Sequence, residues 1–131
     1  MAGSFSDYLE DKVMKHVFTN TSYTSPSSLY VGLFTVAPTD AGGGTEVSGN
    51  AYARTAATFS VSGTSPTTAS NSANVEFPTA TGSWGTIVAA AIFDASTSGN
   101  MLSWADLTAS KAVGSGDVFR FATGNLTVTL A

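Results

Sequence analysis

The sequence predicts an all-β domain: a compact, antiparallel, jelly-roll-like β-sandwich of about seven to eight short strands, with one amphipathic helix at its N-terminus. Three observations carry this. From Leu29 onward the chain consists of short apolar or alternating runs, separated by turn signals about every 8–12 residues. Helical periodicity is confined to the start, where Leu9, Val13, His16 and Val17 fall at i, i+4, i+7 and i+8. No internal repeat or linker interrupts residues 1–131, which read as one domain. Within it, 1–20 forms a helical docking segment and 28–131 the sandwich.

The elements follow in order. Ser6 suits the helix N-cap, and Asp7 in the first turn complements the dipole. Asn20 and Thr21 end the helix. "SLYVGLFTVA" (28–37) is apolar on both faces, as a buried strand is. "TDAGGGTE" (39–46) is a loop, and "AYARTAATFSV" (51–61) reads as the second strand. "SGTSPTTASNS" (62–72) reads as a polar loop, followed by the short strand "ANVEF" (73–77), which stops at Pro78. "WGTIVAAAIFD" (84–94) is the most apolar run and predicts a central strand. "STSGN" (96–100) is a hairpin turn into "MLSWADL" (101–107). After the turn "GSGD" (114–117), "VFRFA" (118–122) and "NLTVTL" (125–130) close the chain.

Composition narrows the function. Charged residues make up 11%, against a usual share of about 25%, and the net charge is −4. Five scattered basic residues make no phosphate-tracking stripe, which argues against nucleic acid. No run of about 20 apolar residues predicts a membrane span. With no cysteine and one histidine, neither a thiolate metal site nor a cysteine nucleophile is available. A neutral Ser/Thr/Asn/Gly surface suits a protein whose faces pack against other proteins.

Candidate chemistry is sparse. His16 lies on the helical stripe with no nucleophile or carboxylate placed beside it by spacing. "DASTSGN" (94–100) imitates the first half of a calcium loop, but Ala105 stands where the bidentate Glu belongs, so it reads as a turn. Asp40, Glu46, Glu76, Asp94, Asp106 and Asp117 lie near strand ends, and spacing does not show which converge. Neither a nucleophile elbow nor a P-loop occurs. The reading is therefore no catalytic residue, no metal and no cofactor. Trp84, Trp104, Tyr23, Tyr30 and Tyr52 could stack on host-surface sugars, although the apolar flanks of both tryptophans favour the core. Arg54 is the one basic residue between Lys15 and Lys111. It reads as a structural brace, pairing with a carboxylate or forking onto loop carbonyls, in this chain or across a subunit boundary.

These pieces, in order, resemble a family of small bacteriophage virion proteins of the tail-fibre or tail-appendage type. They are "SDYLEDKVMKHVF" (6–18), "YVGLFTVAPTDAGGGTEVSG" (30–49), "YARTAATF" (52–59), "SNSANVEFPTATGSWGTI" (70–87), "IFDASTSGNMLSWADLT" (92–108) and "GDVFRFATGNLTVTL" (116–130). The resemblance implies a non-enzymatic structural subunit located in the virion, in contact with other tail or capsid proteins. A tail appendage comes first, a capsid decoration (cement) protein second and a carbohydrate- or receptor-binding module third. Oligomers of such subunits are closed and symmetric, and a trimer is expected. The helix is the expected docking element, with Phe5, Tyr8, Leu9, Val13, His16 and Val17 as candidate interface residues.

Overall fold

The computed structural model describes residues 2–130. Twelve residues form one helix, α1 (Asp7–Phe18), and the rest of the regular structure is β. The strands are β1 (Ala2–Phe5), β2 (Leu29–Val36), β3 (Thr45–Glu46), β4 (Thr55–Ala57), β5 (Phe59–Ser62), β6 (Thr67–Asn71), β7 (Val75–Glu76), β8 (Gly85–Phe93), β9 (Met101–Val113), β10 (Arg120–Phe121) and β11 (Thr127–Leu130). The fold is a β-sandwich-like structure with an N-terminal helix.

The apolar run at 84–94 becomes β8, and it is central: β2 pairs with it on one side and β9 on the other, both antiparallel. Its alanines let both faces close tightly. Ile87 and Ala90 face the main core, whereas Ala89 and Ala91 pack with Phe34 and Phe93 on the opposite face. The main core lies between the layers and gathers Val31, Leu33, Phe77, Trp84, Phe119 and Leu126, among others.

Two segments switch between the layers. In β1, Ser4 and Phe5 pair antiparallel with β9, while Ala2 and Gly3 pair parallel with β11. Gly3 sits where a side chain cannot: a Cβ there would lie 2.8 Å from the Trp104 carbonyl oxygen. On the far side, β4 pairs with β2, and after Thr58 the same chain continues as β5, pairing with β6. β6 in turn pairs with β11. The path therefore starts at β2, runs through β8, β9, β1, β11, β6 and β5, and returns through β4. Corners made by strands that change sheets leave fewer open edges.

The structure differs from the sequence reading in several places, among them the loop 39–46, which ends in β3, and the strand expected at 101–107, which runs on to Val113. Residues 2–5 form a strand, although "AGSF" shows no alternation. The segment 51–61 is not one strand: Tyr52–Arg54 is irregular, and β4 and β5 serve different layers. The polar "loop" 62–72 contains β6. That strand is held at its end by Asn71, which is 1% exposed. Its amide donates to the carbonyls of Ala73 (2.8 Å) and Ala122 (3.0 Å), and its Oδ1 accepts from the Leu126 N–H at 2.9 Å. A buried amide is tolerable only when satisfied in this way.

Candidate functional site

Arg54 projects from the irregular stretch before β4 and is almost buried, its side chain 9% exposed. Its Nε donates to Glu46 Oε2 at 2.9 Å and its Nη2 to Glu46 Oε1 at 2.8 Å, a bidentate fork. Its Nη1 donates to the carbonyls of Ala95 (3.0 Å) and Ser98 (2.7 Å) in the β8–β9 turn. The guanidinium lies over the Phe93 ring, 3.5 Å from its centroid. One side chain thus joins the β3 strand, the outer face of β8 and a hairpin turn. Lysine could not reproduce this geometry, because it lacks the planar fork.

The carboxylate is held from its other side as well. Tyr52 donates to Glu46 Oε2 at 2.6 Å and accepts the Leu33 N–H at 2.9 Å. Burial raises the Tyr52 phenol well above its ordinary range, and the bond to Glu46 raises it further. Gly32 provides the floor: a Cβ there would lie 2.8 Å from Glu46 Oε2 and 3.2 Å from Tyr52 Oη. Glu46, Tyr52 and Gly32 escaped the sequence reading as Arg54's surroundings. Glu46 lies eight residues before Arg54, but nothing in a Gly-rich loop says that it folds back.

Helix α1 begins as its sequence dictates. Ser6 is the N-cap, its Oγ accepting from the Leu9 N–H at 3.2 Å while donating to the Met101 carbonyl at 2.6 Å. The helix has no buried residue. Phe5 and Leu9 line an apolar cavity of about 240 Å³ with Leu29, Phe59, Ile92 and Leu102. Val13 is half-buried. Tyr8 packs edge-on against Tyr23, and Lys12 lies over the Tyr8 ring. His16 is exposed, its Nδ1 accepting from the Tyr23 N–H at 3.1 Å. Val17 is 62% exposed, and beside it Met14 (57%) and Phe18 (73%) also face solvent. The candidate interface residues therefore divide: Phe5, Tyr8, Leu9 and Val13 pack partly on the body, whereas His16 and Val17 face outward. Met14 and Phe18 fell outside the i, i+4, i+7 template, yet they extend the outward apolar surface.

The remaining candidates take ordinary roles. Trp84 is 4% exposed and donates its indole N–H to the Asn50 carbonyl at 2.9 Å. Trp104 is half-buried and donates to Asp40 Oδ1 at 2.9 Å. Asp94 accepts from the Asn100 N–H at 2.7 Å and its side-chain amide at 3.0 Å, closing the hairpin. Asp117 Oδ2 accepts from the Gly114 N–H in the next turn. Asp7, Glu10 and Asp40 are exposed and place one oxygen each within 4.8 Å of the others, a group among the described residues that could hold a cation.

A family model described as podophage GP4 fiber I protein gp80 matches residues 4–129. The chain belongs to this podophage fibre family. It is accordingly a bacteriophage fibre-type structural protein and a component of the virion. No curated protein matches the chain. In this fibre protein the match begins inside β1 and ends within β11, so it takes in both layers, α1 and the whole Arg54 network.

Proposed function

We propose that this fibre-family chain is a non-enzymatic structural subunit of the phage tail fibre or a tail appendage. In this reading, α1 docks it on a neighbouring virion protein and Arg54 braces β3, β8 and the β8–β9 turn against one another. The observation that carries the reading is the outward surface of α1. Met14, Val17 and Phe18 expose apolar surface on a helix that buries none of its residues. Large exposed apolar side chains grouped on one element mark contact surfaces, and an amphipathic helix in a partner's groove is a common mode.

The polar groups support a structural rather than a catalytic role. Asp94 and Asp117 are engaged in turns, Glu46 is engaged by Arg54 and Tyr52, and His16 accepts from a backbone amide. The Trp84 ring is packed in the core, so a sugar platform would need other aromatics. The test is a particle assay. Phage producing the Met14→Ser/Val17→Ser/Phe18→Ser protein should contain little of it, while the purified variant keeps its circular dichroism and melting temperature. Normal incorporation of a folded variant would end the docking reading.

A further inference from the structure

We propose that copies of this chain associate head to tail, the acidic start of α1 in one copy seating against the Lys111–Arg120 lip of the next. This rests on the structural-subunit reading above and names a partner for it, a second copy. Five basic residues serve the whole chain. Lys12 and Lys15 lie on α1, where Lys15 bridges Asp11 at 3.0 Å, and Arg54 is bound to Glu46. Lys111 and Arg120 are left, and they converge with Val118 and Glu76 at the same surface. Arg120 stands opposite Glu76 across the β7–β10 ladder, yet among the described residues neither cation forms an ion pair.

The lip borders an open groove of about 710 Å³, lined by Leu107, Thr108, Lys111, Phe119, Phe121 and Gly124, among others. A register jump shapes its wall. Ile87 pairs with Lys111 but Ala89 pairs with Asp106, so residues 107–110 bow out opposite Val88 alone. Val118, 43% exposed, adds apolar surface beside the cations.

The complementary charge lies at the other end of β9. Asp7, Glu10 and Asp40 are exposed and mutually close. They are held in place by the Asp7 N–H donating to the Asp40 carbonyl at 3.0 Å, and by the Trp104 indole on Asp40 at 2.9 Å. Met14 and Phe18 follow on the same helix. The lip sets two cations against the one carboxylate of Glu76, the start of α1 clusters three carboxylates, and each adjoins apolar surface; the two sit apart on one chain. A contact between such unlike patches is heterologous; it closes into a ring when the rotation allows, and three-fold closure gives a trimer. Charge complementarity of this kind fixes orientation and disfavours the reverse pairing.

Charge reversal tests this directly. Sedimentation of the full chain at about 0.1 M salt should show association that weakens as salt rises. Lys111→Glu/Arg120→Glu and Asp7→Lys/Glu10→Lys should each weaken it roughly a hundredfold, as like charges meet. An equimolar mixture of the two variants should associate again into pairs, because each reversed patch meets its complement between unlike copies, while a closed trimer keeps one like-charged contact; this rescue also shows that both variants are folded. A monomeric wild type, association indifferent to both reversals, or no rescue on mixing would overturn the contact. Incorporation of the α1 variants into particles is scored separately, so the docking reading can fail while the head-to-tail contact stands, and the reverse.

Discussion

Replacing Arg54 by alanine removes four charge-assisted hydrogen bonds and the contact with the Phe93 ring. The loss is partly offset, because Glu46 is 24% exposed and keeps its bond from Tyr52, while the turn carbonyls can take water. A fully exposed pair is worth about 0–1 kcal/mol, and breaking a fully buried one costs about 3–5 kcal/mol. Arg54 lies nearer the buried limit, so about 3 kcal/mol is expected. In a chain of 131 residues each kcal/mol shifts the melting temperature by about 3–5 °C, which gives a fall of roughly 10 °C for Arg54→Ala. Arg54→Lys keeps one charge contact to Glu46 but loses the fork and the turn carbonyls, and should fall about half as far. Calorimetry of Arg54→Ala, Glu46→Gln and the double variant completes the test. The double should cost at least about 1 kcal/mol less than the sum of the singles. Equal melting temperatures for the Ala and Lys variants, or strict additivity with Glu46→Gln, would refute the bidentate brace.

Two further outcomes follow from the same network. The Tyr52 phenol is raised by burial and by Glu46, so the folded chain holds that proton more tightly than the unfolded chain. Stability should then be unaffected by this group below about pH 10, the ordinary tyrosine value, and fall above it by up to about 1.4 kcal/mol per pH unit. Tyr52→Phe should lose that part of the alkaline slope in urea titrations. Gly32→Ala should cost about 1–3 kcal/mol by pushing the Glu46 carboxylate aside, and much less when Arg54 is already alanine.

What was legible in the sequence was whatever local pattern determines. The cap at Ser6, the apolar centre at β8 and the Asp94 turn each follow from a few adjacent residues. β1 was not legible, because four residues with two pairing partners show no alternation, and its place depends on strands roughly a hundred positions away. β6 was hidden because its threonines, serine and asparagine also spell a loop; its pairing with β11 and the satisfied Asn71 decide otherwise. At the Arg54 site the chemistry was legible from one isolated guanidinium. Its partners were not, since the turn carbonyls lie 41 and 44 residues away and only the folded sheet brings them near. On α1, the stripe marked the side that rests on the body as well as the side that faces out, because periodicity locates an apolar arc but not what already covers it.

The central claim is that this fibre-family subunit is held in the virion through the outward face of α1. A cryo-electron microscopy reconstruction of the intact phage tests it most directly. The account predicts the chain in the tail fibre or an appendage, with Met14, Val17 and Phe18 buried against another protein. A reconstruction in which that face of α1 lies open to solvent while other surfaces hold the subunit would contradict it.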